Sequence, residues 1–291
     1  MHNKINKCLI CSGTQFTSLY EDTLMRCITC GFVTANINAD EELLKSIYTE
    51  NYFNGEEYLD YLNDKTAFDY NFKNKLRKIT RLFPKESIQN VLEIGCAYGL
   101  FGNTLRSYIP SAQYKGIDVV PEPIAYGKTE LKLDLILGDY LNSGPPTRLY
   151  TDVFMWDVIE HLKDPHEFLI KANKELELNG RIYITTGDIG ALIPRIRKKK
   201  WRMIHPPSHL HYFSKKTIQD LLQRNGFEIV HISYPPLYRS LKQIYYSLFL
   251  LKRDKKRSII ESIYKRLPEK INIPFNTFDI MFVIAKKIEK L

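Results

Sequence analysis

Four of the five cysteines in this 291-residue chain fall into one pattern. Cys8-x-x-Cys11 is followed, after fifteen intervening residues, by Cys27-x-x-Cys30. Two such knuckles at that separation match a zinc signature, each turning two thiolates toward one point. Four thiolates close a tetrahedral shell and leave no position for a substrate, so the metal would be structural. Gly13 and Gly31 follow the pairs, where a tight turn around a metal needs a flexible backbone. A redox role fits less well, because neither pair opens a helix within a βαβ unit. About 30 residues cannot bury enough core alone, so metal would supply the folding energy.

A second group of residues reads as a cofactor pocket. Asn90–Ile94 has the composition of a short buried strand, and Gly95-Cys96-Ala97-Tyr98-Gly99 follows it at once. Leu100 to Tyr108 then has helical spacing, with Phe101, Leu105 and Tyr108 on one face. Strand, glycine turn and helix together let a ligand approach the backbone at a helix N-terminus. A second strand, Tyr114 to Ile117, ends in Asp118, nineteen residues after Gly99, where a carboxylate can accept both hydroxyls of a ribose. Further strands at Asp134 to Leu137 and Asp152 to Trp156 end near Asp139-Tyr140 and in Asp157. Dinucleotide oxidoreductases share this layout, but their second glycine makes room for a pyrophosphate, and Ala97 occupies that place here. Glu93 at the strand end is an awkward neighbour for a pyrophosphate and a good one for an ammonium group.

In order along the chain, CLIC and CITCG, ENYF (Glu50 to Phe53), VLEIGCAYG, GID, GDY, DVIEHLKDP and GRIYITT are followed by KKWRMIHPPSHLHYFSKKTIQDLLQRNGF. With these pieces the chain resembles class I S-adenosylmethionine-dependent methyltransferases that carry an N-terminal zinc-binding segment. The resemblance covers nearly everything from Cys8 to Val230. It implies an α/β fold, a Rossmann-like sheet of seven strands with the last antiparallel, beside a small zinc-ribbon-like segment. It also implies S-adenosylmethionine as cofactor. Gly95, Ala97 and Gly99 would pass beneath its methionine and ribose, with Glu93 close by. Asp118 would hold the ribose, Val119 would pack on adenine, and Asp139 and Tyr140 would lie near the adenine amino edge. Asp157 and His161 would sit between cofactor and acceptor. Cys96 would line the pocket or remain a small buried thiol. Many relatives modify nucleotide-linked or lipid-linked sugars in surface-polysaccharide and natural-product pathways, and others methylate quinones and small acids.

Methyl transfer to a hydroxyl needs in-line alignment and a base for the proton. Histidine suits that role, and His161, His205, His209 and His211 gather on the acceptor side. In zinc-segment sugar methyltransferases a Glu-His pair at the position of Ser208-His209 is associated with catalysis. Serine replaces that glutamate here, which leaves the base open between His209 and His161. Tyr52 matches a tyrosine that reaches the acceptor. Each has a plainer alternative: His209 packing beside the helix after Ser214, His161 orienting Glu160, Tyr52 filling space between segments.

These residues need elements to hold them. Residues 1–36 read as the zinc segment, 37–85 as helices (Glu41 to Tyr48 and Phe68 to Phe83 the clearest), and 86–291 as the catalytic domain. Its sixth and last strands should be Glu228 to Ser233 and Phe278 to Lys286. Between them lies an insert, 234–277, far longer than a hairpin needs. Tyr238 to Leu251 and Ser258 to Leu267 have helical spacing, with Leu241, Ile244, Tyr245, Leu248 and Leu251 on one face.

Composition narrows the function classes. The chain is 44% hydrophobic and 26% charged, ordinary values for a globular protein. The net charge of +9 is local: Arg195 to Arg202 contributes +6 and Tyr234 to Lys270 a further +7, leaving the rest at −4. That pattern disfavours a uniformly basic nucleic-acid binder. The apolar face of the insert beside Lys252 to Arg257 suggests contact with anionic membrane, or else a homodimer face. The polar N-terminus and few cysteines suggest a cytoplasmic protein. A methyltransferase for a sugar or other small polar acceptor is the leading reading. An RNA or protein methyltransferase and a non-catalytic scaffold are the alternatives.

Overall fold

The computed structural model describes residues 6–38, 43, 62, 64–242, 244–245, 262–264, 266–268 and 271–289. The central feature is a seven-stranded sheet. In chain order its strands are β4 (Asn90–Ile94), β5 (Gln113–Asp118), β6 (Leu135–Leu137), β7 (Tyr150–Trp156), β8 (Leu176–Gly187), β10 (Phe227–Ser233) and β13 (Ile280–Lys287). In space they run β10-β13-β8-β7-β4-β5-β6. β4, β5, β6, β7 and β8 pair in parallel, and β13 enters antiparallel between β8 and β10. The central strands β4 and β7 are buried almost throughout, which is why they read as continuous apolar runs rather than alternating ones. The order reverses at β4, so the carboxyl ends of β4, β5 and β7 open onto one crevice.

Helix α1 (Lys65–Leu82) buries Ala67, Phe72, Leu76 and Ile79 along one stripe against this sheet. Behind the glycine turn lies α2 (Leu100–Tyr108), followed by α3 (Pro121–Thr129) and α4 (Pro165–Glu175) as crossovers. The basic stretch begins in a short helix, α5 (Leu192–Arg197), after β8. α6 (Lys215–Arg224) starts at a capping box: Ser214 Oγ accepts from the Thr217 N–H and Thr217 Oγ1 accepts from the Ser214 N–H.

The cysteine segment forms a meander of β1 (Phe16–Leu19), β2 (Leu24–Cys27) and β3 (Val33–Ala35). A fourth strand completes that sheet: β9 (His211–Tyr212), from the histidine-rich stretch, pairs antiparallel with β3 through Val33–Tyr212 and Thr34–His211. Cys8, Ile10, Cys27 and Phe32 belong to the same apolar cluster as Ile159, Phe213, Ile218 and Met281 of the larger domain. The cysteine segment, too short to bury a core alone, thus shares its core and its sheet with the rest.

The insert departs from expectation. The helix predicted from Tyr238 gives way at its start to β11 (Leu237–Ser240), which pairs with β12 (Asn272–Phe275). The cause is α1. Asn71, 8% exposed, donates from Nδ2 to the Tyr238 carbonyl at 2.9 Å and accepts the Tyr238 N–H on Oδ1 at 2.8 Å. One side-chain amide thus satisfies both backbone groups of Tyr238 in extended form. Leu241, Lys242, Ile244 and Tyr245 are helical, as are 262–264 and 266. Tyr52, the Glu41 to Tyr48 helix apart from Leu43, Leu248, Leu251 and the Lys252 to Arg257 run lie outside the described residues. No helix among the described residues is long and apolar enough to cross a membrane.

Candidate functional site

The glycine turn is built by left-handed backbone at Gly95 (φ 72°), Ala97 (φ 45°) and Gly99 (φ 72°). A Cβ on Gly95 would stand 2.5 Å from Val158 Cγ2, so glycine there is what lets the turn approach the loop after β7. Gly99 caps α2 at its N-terminus, which leaves amide groups of the first turn directed at the crevice. Asp118, at the end of β5, staples the turn. Its Oδ2 accepts the Ala97 N–H at 2.8 Å and its Oδ1 accepts the Val120 N–H at 3.0 Å. Burial raises the Asp118 pKa and these N–H bonds oppose the rise. The Val119 N–H also bonds this carboxylate, so of its about four acceptor sites one stays open. Val119 beside it is half exposed, at 49%, an apolar surface at the crevice.

Glu93 is 3% exposed beneath the turn and accepts a hydrogen bond from the Tyr114 hydroxyl. Burial pushes its pKa well up, Tyr114 opposes that, Asp118 adds to it, and Lys75 opposes it. Gly102 makes this pair possible, since a Cβ there would meet the Tyr114 ring at 2.3 Å. Cys96 is buried with Ile124 and Leu135, as a packing thiol would be. Asp139 uses both oxygens locally, on the Leu141 N–H and the Asn142 amide. The Tyr140 ring turns into the core, and its hydroxyl donates to Glu175 at 2.8 Å. Those two therefore stand as a local cap and a core residue.

Asp157 follows β7 with φ 54°, its N–H held by the Thr185 carbonyl and hydroxyl. Lys75 of α1 reaches over the Trp156 ring, 4.6 Å from its centroid, into the field of Asp157 and Glu93. Burial lowers its pKa and the two carboxylates oppose that. Lys75 escaped the sequence reading because helical spacing shows only which face of α1 is apolar. Nothing local marks the one lysine that bends over the sheet end.

The histidines do converge. His161 Nδ1 bonds the Ser208 carbonyl at 2.8 Å, and His205 Nδ1 meets the Ser208 hydroxyl at 2.8 Å. The His209 ring lies between them, 4.6 Å from His161 and 4.2 Å from His205 by centroids. Burial, with His161 and His205 beside it, pushes the His209 pKa down to about 2, so the ring is a neutral acceptor at neutral pH. Beneath the pair lies Glu160, 1% exposed, whose backbone carbonyl accepts the N–H groups of Leu210 and His211. Burial and then Asp157 push its carboxyl up to about 8. One ligand atom each from Glu160, His161 and His209 lies within 4.8 Å of the others. His211 belongs elsewhere: it packs on Phe32 and Phe213 and bonds Thr34 Oγ1.

The four N-terminal cysteines also converge, with Sγ atoms 3.5 Å apart in the pairs Cys8–Cys30 and Cys11–Cys27 and all four within 4.8 Å. Each knuckle is a backbone turn: Ser12 N–H to Cys8 O, and Gly31 N–H to Cys27 O with Gly31 at φ 79°. A Cβ on Gly13 would stand 2.9 Å from Thr29 Oγ1 and 3.2 Å from Cys11 Sγ. The arrangement is compatible with a tetrahedral zinc site.

Among curated proteins the chain is similar to the mitochondrial ubiquinone biosynthesis O-methyltransferases of Candida albicans and Schizosaccharomyces pombe. The first is 27% identical over 108 residues, 35% of this chain and 33% of that protein. The second is 26% identical over 106 residues, 34% of this chain and 38% of that protein. The match thus spans about a third of the length of these relatives. Among solved structures, the magnesium protoporphyrin IX methyltransferase of Synechocystis PCC 6803, with SAH bound, superposes with a TM-score of 0.52. It is 12% identical, the match covering 85% of this chain and all of that one, which shows a shared fold. The family model described as a methyltransferase domain matches residues 67–232, more than half of the chain, from α1 through β10. The chain belongs to that methyltransferase-domain family.

Proposed function

We propose that the protein transfers a methyl group from S-adenosylmethionine to a hydroxyl of a small polar acceptor, a nucleotide- or lipid-linked sugar being the leading candidate. The observation that carries this is the Asp118 staple. A carboxylate bonded to the amide of a left-handed glycine turn, with an acceptor position left and an apolar Val119 beside it, fits a nucleoside. When bound, S-adenosylmethionine supplies a sulfonium methyl for in-line displacement.

The remaining roles fall to the chain's own residues. Asp118 accepts from a ribose hydroxyl, and Lys75 is placed to meet a carboxylate. Asp157 supplies the negative field that a cationic ligand end requires, and Glu93 lies beneath the turn where such an end would arrive. His209, neutral at working pH, accepts a hydrogen bond from the acceptor hydroxyl and aligns it. With a pKa of about 2 it is a weak base, so it takes the proton only late, as the new bond forms and the hydroxyl becomes strongly acidic. His161 holds the Ser208 carbonyl so that His209 stays in place, and Glu160, its carboxyl pushed up to about 8, sits close to both rings as a neutral acid. The cysteine site holds a structural zinc, because its donor set is complete without water or substrate.

The relatives' printed name, an O-methyltransferase of ubiquinone biosynthesis, favours a second acceptor, a phenolic hydroxyl. Calorimetry with S-adenosylmethionine tests the whole reading: absence of binding sinks it. Product analysis with nucleotide-sugar, lipid-linked sugar and catechol acceptors then separates the two classes.

A further inference from the structure

The basic stretch after β8 is a rigid, outward-facing wedge. Pro194 is buried at its start, and Trp201 at its end is 2% exposed, its Nε1–H donating to Asp279 Oδ2 at 2.7 Å. Between these anchors Leu192 and Ile196, one helical turn apart in α5, stand 70% and 65% exposed. Phe278, reached from the other end of the chain, is 64% exposed and lines one open cavity of about 480 Å³ together with Leu192, Arg195 and Lys215. Around this apolar tip Arg195, Arg197, Lys198, Lys199, Lys200 and Arg202 are all exposed. Lys199 pairs with Glu21 and Arg202 with Asp279, while Arg195, Arg197, Lys198 and Lys200 form no ion pair with a described residue.

We propose that this face docks on an anionic lipid surface, the apolar tip entering the headgroup layer and the basic residues lying against lipid phosphates. The chemistry selects that occupant over the others. A second copy meeting the same face about a two-fold axis would bring two basic runs together, which is repulsive. A nucleic acid would engage the lysines but leave Leu192, Ile196 and Phe278 in water. A lipid interface takes both halves at once, large apolar side chains beside Lys and Arg. The consequence for the active site is direct. Eight residues separate Ile196 from His205, so the histidine loop would be held near the lipid plane, where a lipid-linked acceptor arrives.

The test uses flotation of the full chain with phosphatidylcholine vesicles, with and without phosphatidylglycerol, across a salt series. The protein should float with the anionic vesicles only, and less as salt rises. Leu192→Ser with Ile196→Ser should weaken binding by about tenfold at low salt. Lys198→Gln, Lys199→Gln and Lys200→Gln together should weaken it by about 100-fold, since each charge near such a surface is worth about a factor of five. Calorimetry with S-adenosylmethionine on the same variants should be unchanged, which separates lost docking from lost fold. No flotation at low salt overturns the proposal. So does flotation that ignores the leucine and isoleucine changes, or binding to RNA at the same affinity as to vesicles.

Discussion

At the scale of single residues the two halves of the site make separable demands. In the proposed function Asp118 serves the cofactor and His209 the acceptor. Asp118→Ala removes both the ribose acceptor and the staple on Ala97 N–H, and should weaken S-adenosylmethionine by about 1.5–3 kcal/mol, or roughly 10- to 150-fold in Kd. His209→Ala should leave that Kd unchanged and lower turnover by about 10²–10⁴. Isothermal calorimetry and single-turnover kinetics read the two quantities, and an equal loss of affinity in both variants would show the halves misassigned. Glu160 makes a third demand, on stability. Its folded pKa is raised from 4.5 to about 8, so between those values the folded chain holds a proton that the unfolded chain has released. Stability from this group is therefore full below 4.5 and is lost as pH rises through about 8. Glu160→Gln should flatten that slope, with a gain on the order of 3 kcal/mol at the alkaline end, read from urea midpoints at several pH values. His209 acts in the opposite sense: its folded pKa of about 2 costs stability as pH falls below 6.5.

At the scale of elements, what the sequence showed and what it hid divide along a physical line. Every strand of the large sheet was legible, β4 to the residue; in β4 and β7 burial on both faces forces a continuous apolar run that a single window reveals. The Gly95–Gly99 turn and Asp118 were legible because one strand end and the next lie close in sequence. β9 was not, since two residues of strand paired to β3 across 177 positions leave no periodicity. β11 was misread as helix because its extended form is imposed by the Asn71 amide, a partner 167 residues away. The same long-range logic hid Lys75 and the space at Gly102. The β3–β9 pair has a consequence for chemistry: the cysteine site and the histidine loop are two ends of one small sheet. Stripping metal from the four cysteines should raise amide exchange at Tyr212, whose neighbours carry His209, and lower turnover. S-adenosylmethionine affinity should hold, since Gly95–Gly99 and Asp118 lie at the ends of β4 and β5, in the other sheet. Exchange mass spectrometry before and after chelation reads the first effect, and protection unchanged at Leu210 to Phe213 would refute the coupling.

At the scale of the whole molecule the issue is whether the metal segment is a passenger. An appended module with its own core would unfold by itself, and a length of about 30 residues would make that core metal-dependent. The packing argues otherwise. Cys8, Ile10, Cys27 and Phe32 share one apolar cluster with the centre of β7, α6 and β13, and Leu24, Val33 and Ala35 share another with Ile189, Trp201 and Tyr212. Separating the segment would expose both clusters together, so partial unfolding has no stable resting point. The chain's two tryptophans report on the two sides: Trp156 at the end of β7 and Trp201 against the cysteine meander. In the metal-loaded protein, Trp156→Phe and Trp201→Phe variants should give denaturation midpoints that coincide with each other and with release of the metal into a chromogenic chelator. Both probes should follow one curve, as two-state unfolding requires. A Trp201 transition well below that of Trp156, accompanied by metal release, would mean that the segment detaches first. The histidine loop would then be tethered to a module that comes and goes, and His209 would lose its fixed position while the cofactor pocket stayed intact.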